Sequence, residues 1–87
     1  MKNNGIYLAM FTITYTLNGI QQTINQTTFA VGNTRSQNVP AGAINIQISA
    51  DASPGEHIFN DSIPSPQWKC YVVSGSSLST NWKIVPC

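Results

Sequence analysis

The side chains able to act as acid, base or nucleophile are few: His57, Asp51, Glu56, Asp61, the two cysteines Cys70 and Cys87, and a larger set of serines. Proton transfer or nucleophilic attack needs such groups matched at fixed geometry. His57 directly follows Glu56, and on an extended strand neighbouring side chains point to opposite faces, so the two cannot form a dyad. His57 and Asp61 share a face but are spaced apart along the strand, which takes a Ser/His/Asp constellation out of reach. No G-x-S-x-G, H-E-x-x-H, calcium-loop or C-x-x-C spacing occurs. The expectation is a protein that is not an enzyme and uses no cofactor and no metal, with His57 and the carboxylates solvated.

The residues that point to binding are of another kind. Arg35 stands alone in the segment GNTRSQN (32–38), where it is either a solvated loop residue or a contact for a phosphate or sugar hydroxyl, together with Thr34. Trp68 follows Ser65-Pro66-Gln67 at a strand entrance and suits an exposed ring for sugar stacking or a membrane interface. Trp82 shares a hairpin face with Ile84, Val73 and Tyr71, which places it in the core. Leu78 is the single apolar residue in the polar run Gly75 to Asn81.

Composition narrows the partners. Charged residues make up 8% of the 87 residues, with a net charge of +1, and the four basic residues are spread from Lys2 to Lys83. Phosphate contacts to nucleic acid need several Lys or Arg on one face, so nucleic acid is excluded as a partner. Solubility comes from Asn, Gln, Ser and Thr, which account for 32 of the 87 residues. Thr suits strand surfaces while Asn and Ser suit turns, and this usage favours an all-β domain. Such polarity is common in extracellular recognition modules and points to extracellular or cell-surface action. The apolar run from Ile6 to Phe11 is shorter than the roughly 7–15-residue core of a signal peptide, lacks a small-x-small site after it, and reads as a strand.

The elements that must position these residues follow from periodicity. Tyr7, Ala9, Phe11, Ile13, Tyr15 and Leu17 alternate with Thr12, Thr14 and Thr16, the pattern of a half-buried strand. Asn18-Gly19 supplies the positive-φ pair of a type I′ turn, which sets Ile24 of the return strand, Ile20 to about Thr28, opposite Ile13. A further strand is expected over Thr27 to Val31. After the turn signal VPAGA, Ile44, Ile46 and Ile48 alternate with Asn45, Gln47 and Ser49 as a strand with one buried face. Pro54-Gly55 breaks it; Glu56 to Asp61, Trp68 to Ser74 and Trp82 to Val85 complete the set, with SIPSPQ as an irregular connection. Short strands, frequent turns and no helical stretch predict one domain over residues 1–87, an all-β antiparallel β-sandwich of about seven short strands.

If the last hairpin is centred between Leu78 and Ser79, Val73 faces Ile84 and Cys70 faces Cys87. Opposed cysteines on paired strands are close enough to bond with ordinary backbone adjustment, and the bond would contribute about 2–3 kcal/mol by loop closure. The alternative is two free thiols.

The order of features resembles the C-terminal membrane-recognition domain of the cholesterol-dependent (thiol-activated) cytolysins. GIYLAMFTITY is similar to that domain's first strand, and VPAGAINIQISA to its turn into a strand with an Asn-Ile-x-Ile core. IFNDSIPSPQWKCYVVSG resembles the downstream strand, the proline-containing connection and the next strand. SGSSLST is similar to the family's Gly-Thr-Thr-Leu-Tyr-Pro loop, whose Thr-Leu pair is the sterol-recognition element; the implied counterparts are Ser77 and Leu78. Where the family carries its Trp-rich undecapeptide, this chain has DASPGEH, without Cys or Trp. The resemblance implies a stand-alone β-sandwich recognition module that cannot perforate a membrane unaided.

Strand alternation would place Asn18-Gly19, Gly32 to Ser36, Asp51 to Glu56 and Ser76 to Thr80 at one tip of the sandwich. The reading is a non-enzymatic module binding a membrane-surface component, sterol or glycolipid, through Ser76, Ser77, Leu78, Asn18, Thr34, Arg35 and Trp68. A second reading is a lectin-like glycan-binding module with Arg35 and the amides as donors and Trp68 as stacking platform. A third is a structural protein that self-assembles into a homo-oligomer by edge pairing, since no Lys-rich edge opposes it.

Overall fold

The computed structural model describes every residue except Pro54 and Ser77. Its strands are β1 (Lys2–Asn3), β2 (Leu8–Leu17), β3 (Ile20–Asn25), β4 (Ile44–Ser53), β5 (His57–Ile63), β6 (Cys70–Ser76) and β7 (Ser79–Val85). They form a four-stranded sheet in the order β3-β2-β4-β5 and a three-stranded sheet in the order β1-β6-β7. The two sheets make an all-β sandwich, with no helix among the described residues.

Period-two patterning decides which side of each strand is buried. Tyr7, Ala9, Phe11, Ile13 and Tyr15 line the inner face at the start and along the length of β2, and the Thr residues between them stay at the outer face. Ile46, Ile48, Ala50 and Ala52 do the same on β4, Phe59 and Ile63 on β5, and Tyr71 and Val73 on β6, while Ile58, next to Phe59, is buried at the β4–β5 register shift. The Asn18-Gly19 turn, with φ of 54° and 79°, joins β2 to β3 and sets Ile13 opposite Ile24.

Three expectations are corrected. Thr27 to Val31 is not a strand: the segment touches β2 only through a bridge of Phe29 to Ala9 and then runs along the side of the sandwich. Ile44 is 51% exposed and does not continue the buried face of Ile46 and Ile48. Asn45 adopts a positive φ of 52° and the β2–β4 register shifts between Thr14 and Thr16, so the bulge turns Ile44 outward. The expected sandwich of seven short strands is present and its hairpin-linked strands pair antiparallel; the two-residue β1 adds a parallel pairing to β6, with Lys2 opposite Val72 and Asn3 opposite Val73. Trp82 is not fully in the core but 40% exposed.

β1 is too short to hold itself in place, and its anchor is a buried amide. The Asn3 side chain is wholly shielded from water. Its Nδ2 donates to the carbonyls of Tyr7 (2.7 Å) and Phe29 (3.0 Å), and its Oδ1 accepts from the Gly5 N–H at 2.8 Å. Gly5 leaves no room for a larger residue, since a Cβ there would run into the Tyr7 ring. Replacing Asn3 with Leu strands the Tyr7 carbonyl and the Gly5 N–H in a dry site and takes one of two donors from the Phe29 carbonyl, which keeps the Ala9 N–H. Asn3→Leu is therefore expected to cost about 2–4 kcal/mol, read as a lowered urea midpoint with an unchanged slope; a midpoint equal to wild type would refute the role.

Candidate functional site

The β6–β7 hairpin is tighter than its polar sequence suggests. Ser76 pairs with Ser79, so the connection is only two residues, Ser77 and Leu78. The seven-residue loop from Gly75 to Asn81 is thus corrected: Ser79, Thr80 and Asn81 belong to β7. The register moves with it, placing Trp82 opposite Val73, Ile84 opposite Tyr71 and Val85 opposite Cys70. Gly75 allows this closure. Its φ is 89°, and a Cβ would collide with the Ser79 carbonyl oxygen. Leu78 projects from the turn at 85% exposure, and Ser76 closes the strand below it. Ser77, the expected partner of Leu78, lies outside the described residues.

Cys70 and Cys87 are bonded, with Cα atoms 5.5 Å apart. They are not register partners. Chain past Val85 carries Cys87 through Pro86 back to Cys70, locking the end of the hairpin farthest from Leu78.

The β4–β5 turn shares the Leu78 end, since the Thr80 N–H donates to Glu56 Oε1 at 3.4 Å. There His57 Nδ1 lies 2.7 Å from Asp51 Oδ1, both side chains being about half exposed. This pair was not foreseen. Its signal is the placement of Asp51 and His57 on either side of the Pro54-Gly55 turn, where antiparallel strands face each other. Among the described residues no hydroxyl hydrogen-bonds to His57, and no group of three or more His, Cys, Asp and Glu could hold a metal.

The other expected site residues lie elsewhere. Leu8 pairs with Ser53 while Thr16 pairs with Ile44, so the Asn18-Gly19 turn is at the opposite end from Leu78. Thr34 bridges Lys2, and the Arg35 N–H donates to the Met1 carbonyl, which lays Gly32 to Ser36 along the side of the sandwich next to β1. The single tip is therefore corrected: the structure brings together Ser76, Leu78 and the β4–β5 turn, and separates them from Asn18, Thr34, Arg35 and Trp68.

Thr34, Arg35 and Trp68 meet in a different feature. A cleft of about 710 Å³ opens between the sheets towards the disulfide end. Phe11, Ile13, Ile46, Ile48 and Ile63 of one sheet and Tyr71 of the other line it, along with Trp68, which is 89% exposed. Its charged lining residues are Lys2, Arg35 and Lys69, three of the four basic side chains in the protein; none of the three carboxylates lines it.

An aromatic stack fixes the hairpin to the opposite sheet. Phe59 lies flat against Trp82, centroids 4.4 Å apart at 18°, and against Tyr71 at 5.1 Å and 25°. Tyr71 Oη donates to Asp61 Oδ2 at 2.7 Å. Burial, then the hydrogen bond and charge of Asp61, push the Tyr71 pKa well above its usual value, and burial raises that of Tyr7.

A two-sheet β-sandwich with these features is the fold that the cytolysin resemblance implies. Listeriolysin O superposes on 97% of the chain with a TM-score of 0.73 and 20% identity. The cytotoxin protein suilysin from Streptococcus suis superposes on 98% with a TM-score of 0.72 and 13% identity. At these identities the likeness is one of fold, and the chain spans only 21% and 22% of those two proteins. No protein-family model and no curated protein matches the chain.

Two outcomes follow from this geometry. Alkylation without reductant should leave the mass unchanged, while reduction of the 17-residue Cys70–Cys87 separation should lower stability by about 2–3 kcal/mol. Two alkyl groups added without reductant would contradict it. Because the folded state holds Tyr71 and Tyr7 neutral, unfolding releases protons once pH passes the ordinary tyrosine value of about 10, and stability falls above it. It should be intact below that pH. Tyr71→Phe should cost about 1–2 kcal/mol at pH 7 and flatten the alkaline decline of the melting temperature; an unchanged alkaline slope would assign the decline to other groups.

Proposed function

We propose that the chain is a non-enzymatic recognition module that binds a membrane-surface component, sterol or glycolipid, through the β6–β7 tip. Leu78 is the apolar anchor and Ser77 its hydrogen-bonding neighbour. The observation that carries this reading is the 85% exposure of Leu78 on a two-residue turn whose strands are held by a disulfide and an aromatic stack. A large apolar side chain at the apex of a tight hairpin offers a partner surface an apolar contact to bury. The likeness of fold to listeriolysin O and suilysin supports a lipid surface as that partner. The β4–β5 turn beside it offers no aromatic ring, so the tip is suited to shallow contact rather than deep insertion.

Exposure of Trp68 favours a second reading, a lectin-like module in which that ring stacks on a sugar, at a site separate from the tip. Sedimentation with liposomes of neutral lipid, with and without cholesterol or glycolipid, separates the two. Full burial of one leucine is worth about 1.5–3 kcal/mol, so Leu78→Ala should weaken liposome binding roughly 10-fold or more with no change in melting temperature. Equal binding by Leu78→Ala and wild type removes the tip from the site. Haemagglutination blocked by a simple sugar, and lost in Trp68→Ala instead, would establish the lectin reading.

A further inference from the structure

We propose that the inter-sheet cleft is a second binding site, for one long-chain carboxylate, with its tail between the sheets and its head group at the basic rim. This goes beyond the tip reading and depends on other residues. The cleft's volume, about 710 Å³, falls within the roughly 300–1,000 Å³ of sites that enclose small ligands. Its floor is aliphatic and aromatic, from Phe11, Ile13, Ile46, Ile48 and Ile63, and offers a tail no polar competition.

Charge selects the head group. Lys2, Arg35 and Lys69 all line the cleft, and Asp51, Glu56 and Asp61 do not. Asp51 and Glu56 sit at the far end of the sandwich, and Asp61 is engaged by Tyr71. In a chain with only four basic side chains, gathering three of them on one cleft is a segregation that composition alone does not produce. Arg35 is held there by its backbone bond to Met1 and by the Phe29 ring 5.9 Å from its guanidinium carbon. A sterol, with one neutral hydroxyl, makes no use of three cations. A single-chain carboxylate uses both the apolar floor and the rim.

Calorimetric titration of the purified protein, below the micelle concentration, tests this with three twelve-carbon probes: dodecanoate, dodecyl phosphate and dodecyltrimethylammonium. Dodecanoate should bind at one site per chain and at least about tenfold tighter than the cationic probe. The double variant Arg35→Gln/Lys69→Gln should lose most of that difference, and Leu78→Ala should leave it unchanged. Equal binding of dodecanoate and the cation, no saturable binding, or loss of dodecanoate binding in Leu78→Ala would overturn the site. Dodecyl phosphate binding about tenfold tighter than dodecanoate would overturn the carboxylate assignment. The variant-free comparison of probes decides the case even if the double variant fails to fold, and failure of the tip reading leaves it untouched.

Discussion

Both sheets depend on the buried amide of Asn3. Its three hydrogen bonds reach the Gly5 N–H, the Tyr7 carbonyl just before β2 and the Phe29 carbonyl beside it, while its backbone pairs β1 with β6. One side chain thus ties the edge of the three-stranded sheet to the flank of the four-stranded one. The backbone N–H and C=O of Asn3 also bond to Asn33 and Gly32, which holds the segment leading to Arg35 against β1. A half-satisfied amide in so dry a position would cost more than an apolar replacement, and the completeness of its bonds is what makes the arrangement specific. The lining of the cleft by Thr34 and Arg35 is a consequence of that anchoring.

The hairpin has its own two-point support. Phe59 stacks against both Trp82 and Tyr71, which also contact each other at 6.5 Å, and the disulfide closes the end near Val85, away from the exposed Leu78. Gly75 provides the bend that the tight connection needs, and the Ile6 N–H donates to its carbonyl at 3.0 Å. The strands that carry Leu78 are thus held at both the Phe59 stack and the disulfide.

Much of the sandwich was legible where alternation is long. The run from Tyr7 to Leu17, the Asn-Gly turn and the facing of Ile13 and Ile24 follow from residue types alone, because a half-buried strand imprints period two on its sequence. β1 left no such imprint: two residues cannot show a period, and an asparagine reads as a turn signal whether it is solvated or fully bonded in the interior. The hairpin register failed for a related reason. Ser79, Thr80 and Asn81 look like loop, yet β7 forms the sheet edge, where polar residues are tolerated on the solvent side. Expecting a strand at Thr27 to Val31 added one reversal to the path. The observed chain instead passes along the flank, which puts Asn18 and Leu78 at opposite ends. The candidate residues were individually visible; which of them meet depends on that count of reversals.

The separation of the two ends has an electrostatic consequence. β4 spans ten residues, so its ends lie roughly 30 Å apart, several times the Debye length of about 8 Å at physiological ionic strength. Each end therefore presents its own field to a nearby surface. At the Leu78 end the charges are Asp51 and Glu56, with His57 held by Asp51. Towards the other end lie Lys69, next to Cys70, and Arg35, with Lys2 and Lys83 both level with Val72. An anionic bilayer attracts the cleft end and repels the tip, whereas a neutral surface rich in sterol or uncharged glycolipid leaves the tip free to approach. One leucine cannot overcome such repulsion by hydrophobic burial and also yield tight binding, since even full burial falls short of the roughly 4 kcal/mol of a millimolar complex. Tip-first recognition is therefore consistent with neutral surfaces and with several copies acting together, the effective concentration of neighbouring tips supplying what a single contact lacks.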